Sequence, residues 1–183
     1  MKEFYAVLQN CPLFAGVQPE ELEAMLGCLN ARKLETGKEQ FVFHEGEPAD
    51  FVGVVLSGAV RVVRTDFYGN QSILGQVEPG GVFGEAFSCA GAQALPVSVV
   101  ADEDSTILLL DSRRIGTCCS NACDFHNRVI YNLLRLVATK NLVLHQKIQI
   151  TSKRTTREKL MAYLLLQAKR HNSNSFEIPY DRQ

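Results

Sequence analysis

The apolar positions change period twice along the chain. Leu22, Met25, Leu26 and Leu29 recur at helical spacing. Pro19 suits the first turn of that helix, and Glu20 and Glu21 favour the positive end of its dipole. From Gln40 to about Leu110 the period becomes two, beginning with Phe41 and Phe43 between polar neighbours. The apolar runs 51–56 and 59–63 flank the tight turn Ser57-Gly58, and a second turn at 66–70 precedes Ile73-Leu74. Later strands are expected at 97–101 and 107–110. Glycines at 37, 46, 58, 69 and 80 recur every nine to twelve residues. Short strands punctuated this regularly make a small barrel, sandwich or roll.

After Asp111 the helical period returns. Ile130, Leu134, Val137, Asn141, Leu144 and Ile148 follow the alternating four-three spacing of a coiled-coil seam. Val129, Leu133, Leu136 and Val143 make an adjacent stripe. One stripe can pack on the roll while the other meets a partner chain; the alternative is one wide face buried within a single subunit. Asn141 in the seam would fix its register. A break at 151–154 is followed by Thr155-Thr156-Arg157-Glu158, a capping box, and by a helix carrying Leu160, Met161, Leu164, Leu165 and Ala168. A polar loop at 171–175 and a short strand at 176–180 complete the reading.

Composition narrows the class. Hydrophobic content of 46% and charged content of 21% are ordinary for a globular protein, and a net charge of −1 describes no polycation. No apolar run approaches a membrane span and the N-terminus lacks a signal-peptide pattern, so a cytoplasmic location without a membrane partner is expected. Charge is nonetheless uneven. Between Lys147 and Arg170 lie seven basic residues (Lys147, Lys153, Arg154, Arg157, Lys159, Lys169, Arg170) and one acid, Glu158. That face suits a polyanion, or is simply solvated.

Chemistry-bearing clusters are sparse. Six cysteines occur, and Cys118, Cys119 and Cys123 lie near His126, but the second half of a zinc site is missing. No metal site is expected. A cupin-like enzyme needs several inward histidines, whereas the strand region offers only His44. No nucleophile–base pair, phosphate loop or H-E-x-x-H motif is present, so no catalytic residue is assigned and the chain is read as a non-enzyme. The distinctive stretch is Gly80-Gly81-Val82-Phe83-Gly84-Glu85, after strands rather than before a long helix. Its glycines allow close approach to the main chain, its free N–H groups would hold an anion, and Glu85 would accept from hydroxyls.

These pieces occur in a particular order. Residues 11–17 read Cys-Pro-Leu-Phe-Ala-Gly-Val; Glu45-Gly46-Glu47 and Leu56-Ser57-Gly58 follow in the hairpins. Then come Pro79 with the 80–85 turn, the seam helix, and Thr155-Thr156-Arg157-Glu158-Lys159-Leu160. The whole resembles the CRP/FNR family of bacterial transcription regulators. The resemblance implies an α+β protein with three parts. Residues 1–120 would form a cyclic-nucleotide-binding-like β-roll, a jelly-roll-like double-stranded β-helix; 121–150 the dimerisation helix; and 151–183 the beginning of an incomplete winged helix-turn-helix domain. The recognition helix would begin after Gln183, so the chain looks truncated within its DNA-binding head.

What the resemblance implies is an effector-sensing homodimer that binds DNA in the intact protein, with RNA polymerase as a further partner. The competing reading is a ligand-binding regulatory module acting through a protein partner without DNA contact. The effector contacts are expected at Gly84, Glu85, Ala86, Phe87, Leu95, Pro96, Val97 and His145, and the dimer interface at Ile130, Leu134, Val137, Asn141, Leu144 and Ile148. Family members that bind cyclic nucleotides carry an arginine and a serine or threonine where this chain has Leu95 and Pro96. Leucine cannot make the bidentate bonds that guanidinium gives phosphate, so the effector is expected not to be cyclic AMP, and its identity stays open. Glu85 is then more a structural group than a ligand contact. His145 would touch a ligand or, as the lesser alternative, ligate haem iron. An iron–sulfur cluster is not expected, because only Cys11 lies near the N-terminus.

Overall fold

The computed structural model describes residues 2–116 and 124–178. They fall into two compact units, Met1–Val137 and Ala138–Gln183. In the first unit, helices α1 (Tyr5–Asn10) and α2 (Pro19–Cys28) precede strands β1 (Arg32–Thr36), β2 (Phe41–Phe43), β3 (Phe51–Ser57), β4 (Val60–Thr65), β5 (Gln71–Val77) and β6 (Val82–Phe83). The short helix α3 (Glu85–Cys89) leads to β7 (Ser98–Ala101), β8 (Ser105–Asp111) and α4 (Ser112–Gly116). Helix α5 (Asp124–Thr151) follows.

The strands form two four-stranded antiparallel sheets, ordered β1-β8-β3-β6 and β2-β7-β4-β5. β3 explains the architecture. Every position from Val52 to Leu56 is buried, because both faces of this strand are covered. Val52, Val54 and Leu56 join a core made with the helices, which includes Leu8, Leu13, Phe14, Met25 and Leu29. Val55 faces the other way and packs with Val42, Val60, Phe83, Val99 and Ile107 between the sheets. Burying each such side chain contributes roughly 1.5–3 kcal/mol. Gly53 is needed here for space, since a Cβ would lie 2.2 Å from the Phe83 ring paired with it across the ladder. At the opposite extreme, β5 is an edge strand exposed along almost its whole length, and its turn leaves Phe67 and Tyr68 in solvent.

The start of α5 is fastened to the first unit. Val129 and Leu136 are buried, and Leu133 and Val137 pack against the helix-side core. The buried Asn132 amide donates to the carbonyls of Leu13 at 3.1 Å and Ala15 at 2.9 Å. Arg128 donates to Gly16 O, and His126 Nε2 lies 2.8 Å from Arg114 O.

In the second unit the rest of α5 is followed by α6 (Thr156–His171). The expected capping box is formed: Thr155 Oγ1 accepts from Glu158 N–H at 3.2 Å, and Glu158 accepts from Thr155 N–H at 3.0 Å. Asn172, at φ 46°, ends the helix in the left-handed conformation. The strand expected at 176–180 is not found where the residues are described. Phe176, Glu177 and Ile178 are irregular, because a strand needs a neighbour to pair with and none lies beside them among the described residues; Phe176 instead stacks on His171. Pro179 and Tyr180 lie outside the described residues, as do Cys118, Cys119 and Cys123. Cys11 sits in the core, Cys28 is half-buried and Cys89 exposed.

Candidate functional site

The glycine-rich turn closes on its own backbone. Gly80, at φ 82°, donates its N–H to Val55 O at 2.8 Å, and Gly81 donates to Glu78 O at 2.8 Å. Val55 N–H returns a bond to Gly81 O at 3.0 Å. The expectation that this turn keeps free N–H groups for an anion is therefore corrected at both glycines: the hairpin leading into β6 consumes them. Gly81 is also sterically required, since a Cβ would meet Val77 Cγ1 at 2.5 Å.

The turn passes into α3 through Gly84, at φ 79°, where a Cβ would lie 3.1 Å from Phe51 O. Glu85, the first residue of α3, is 3% exposed. Ser88 Oγ donates to Gly84 O at 2.6 Å and lies 3.3 Å from Phe51 O. Across from α3, Leu95 is held in a two-way backbone pair: its N–H donates to Glu47 O and its carbonyl accepts from Gly46 N–H, both at 2.8 Å. Ser98 Oγ accepts from Glu45 N–H at 2.9 Å.

Between these elements lies a cavity of about 30 Å³. Of the residues expected at the site, Gly84, Phe87, Leu95 and Val97 line it. Glu85 is buried but not on its wall, Ala86 and Pro96 are exposed, and His145 is an exposed residue of the second unit. Sequence reasoning missed Phe43, Pro48, Ala49, Phe51, Val62 and Val99, which complete the wall. One signal could have found Val99: Leu95, Val97 and Val99 are two apart, so an extended chain puts all three on one face.

The nearby charges are organised for structure. Arg61 bridges Glu39, at 2.5 Å, and Asp102. The hydrogen bonds that Arg61 donates hold the Glu39 carboxyl below its usual range, and accepting them lets Glu39 and Asp102 raise the guanidinium further. Burial, then the charge of Glu85, pushes the Cys89 thiol up, so it is no activated nucleophile. No group of three metal-ligating side chains occurs among the described residues. On the expected seam, Ile130 and Val137 are half-buried, whereas Leu134, Asn141, Leu144 and Ile148 are exposed.

Residues 33–122 match the cyclic nucleotide-binding domain. The Cyclic AMP receptor protein of Thermus thermophilus is 34% identical over 103 residues, covering 56% of this chain and 46% of that one. Over those residues this chain is homologous to the CRP-like regulators. The match thus spans under half the length of that relative. The crystal structure of Thermus thermophilus Catabolite Activator Protein superposes with a TM-score of 0.58 at 26% identity, covering 87% of this chain and 71% of that chain. A cyclic nucleotide-binding domain from Methylobacillus flagellatus shares the fold, with a TM-score of 0.68 at 18% identity over 85% of each chain.

The residues of this CRP-like roll do not fit a cyclic nucleotide. Small-molecule sites occupy roughly 300–1,000 Å³, whereas this cavity is about 30 Å³. Among the described residues no charged side chain lines it. A cyclic phosphate placed against Leu95 and Val97, which are 5% and 4% exposed, would lose its hydration without a compensating cation.

Proposed function

We propose that the chain is the sensing part of a dimeric transcription regulator, in which an effector other than cyclic AMP enters the roll and controls DNA binding by a C-terminal head. The observation that carries this reading is the apolar stripe on α5: Leu134 is 67% exposed, Leu144 56% and Ile148 52%. Such a stripe at seam spacing is stable in water when a second copy covers it. Homology to CRP-like regulators supports the same reading. Residues 121–150 would then be the dimerisation helix. Residues 151–183 would open a winged helix-turn-helix domain, with the capped, basic α6 leading toward DNA and RNA polymerase within reach of the bound dimer.

The mechanism is a population shift. The paired helices have two arrangements, and the effector binds one better than the other, which sets the spacing of the DNA-reading heads. Native mass spectrometry of the purified chain tests the assembly: two subunits are expected, and a single subunit at tens of micromolar would defeat the proposal. A longer clone should retard DNA in a mobility-shift assay. If it carries no helix-turn-helix after Gln183, the reading passes to a module acting on a protein partner.

A further inference from the structure

We infer that the cavity of the roll is a receptor for a small, uncharged, apolar guest of only a few heavy atoms. The inference deepens the proposed function and rests on its placing of the effector in the roll. Three observations carry it.

The first is wall chemistry. Val62 and Val99 from a sheet, Phe87 from α3, and Ala49, Leu95 and Val97 from the segments that precede β3 and β7 present hydrocarbon to the cavity. Apolar cavities of this kind stay dry and take apolar guests, because water would find no hydrogen-bond partners inside.

The second is that the Leu95 backbone and the hydroxyls of Ser88 and Ser98 beside the cavity already hold hydrogen bonds. Both backbone groups of Leu95 bond to the 46–47 segment at 2.8 Å. The Ser88 hydroxyl is turned to Gly84 O at 2.6 Å, and that of Ser98 accepts from Glu45 N–H at 2.9 Å. A guest with strong donors or acceptors would have to leave its own groups unsatisfied or break these bonds.

The third is size. A dry cavity that admits benzene measures about 150 Å³, and this one is about 30 Å³. The guest is therefore smaller than an aromatic ring. Phe87, half-buried on the five-residue helix α3, is a wall member whose removal would enlarge the space.

Xenon is the probe, used on the full 183-residue chain with labelled methyl groups. Dissolved xenon should shift the methyl resonances of Val62, Leu95, Val97 and Val99 saturably, while millimolar cyclic AMP or cyclic GMP leaves them in place. Ala49→Leu should fill the cavity and abolish the xenon response. Phe87→Ala should open it, so that benzene, inert toward the parent protein, now shifts the same methyls; this variant decides the matter if Ala49→Leu does not fold. Absence of a saturable xenon response in the parent chain, or movement of these methyls by a cyclic nucleotide, overturns the inference. The subunit count separates the two claims: a dimer blind to xenon sinks only the apolar receptor, and a xenon-binding monomer sinks only the dimeric regulator.

Discussion

Gly53 and Phe83 occupy one space, with the ring of one where the side chain of any larger residue at the other would stand. Gly53→Ala should therefore lower stability by about 1–3 kcal/mol through overpacking. It should appear as a lower urea midpoint with unchanged slope, and Phe83→Leu in the same chain should recover part of the loss. Arg61 supplies a pH-dependent counterpart. The Glu39 carboxyl it binds titrates below its ordinary 4.5 in the folded protein. Its stabilisation is thus present above that value and is lost as pH falls through the lower, folded one. Glu39→Gln should flatten the acid limb of the stability curve below about pH 4.5. The effect should be small and fade with added salt, because the Glu39 carboxylate is exposed to solvent.

At the scale of the element, α6 depends on its first turn. Thr155→Ala should cost about 1 kcal/mol of helix stability and speed amide exchange at residues 156–160. Glu158 is held below its usual range by its bond to the Thr155 backbone, so the same turn should loosen as pH drops through the acid range. Elements of this kind were legible because their signals are local: a capping box, the Ser57-Gly58 turn between β3 and β4, and the seam spacing of α5. β1 was not legible. Its sequence Arg-Lys-Leu-Glu-Thr is largely polar and becomes a strand only by pairing with β8. β6 has two residues and α3 five, too short for any period to show. The cavity was half legible for a related reason. Gly84, Phe87, Leu95 and Val97 lie in one stretch with a family pattern, whereas Phe43, Phe51 and Val62 come from separate strands that only the roll brings together.

For the whole molecule the surface on which the proposed dimer rests is the exposed stripe of α5. Leu144→Lys with Ile148→Lys should halve the mass found by sedimentation while leaving the circular-dichroism spectrum of the roll unchanged. The melting temperature of the parent chain, unlike that of the double variant, should rise with protein concentration. A different constraint acts at the front of the protein. The Asn132 amide takes both its acceptors, at 3.1 and 2.9 Å, from the carbonyls of Leu13 and Ala15. The leading residues are thus the mooring of the long helix rather than an expendable tail. A clone trimmed to begin after Val17 would strand a buried carboxamide, and a bulky fusion pressed against that segment would disturb α5 from its own foot.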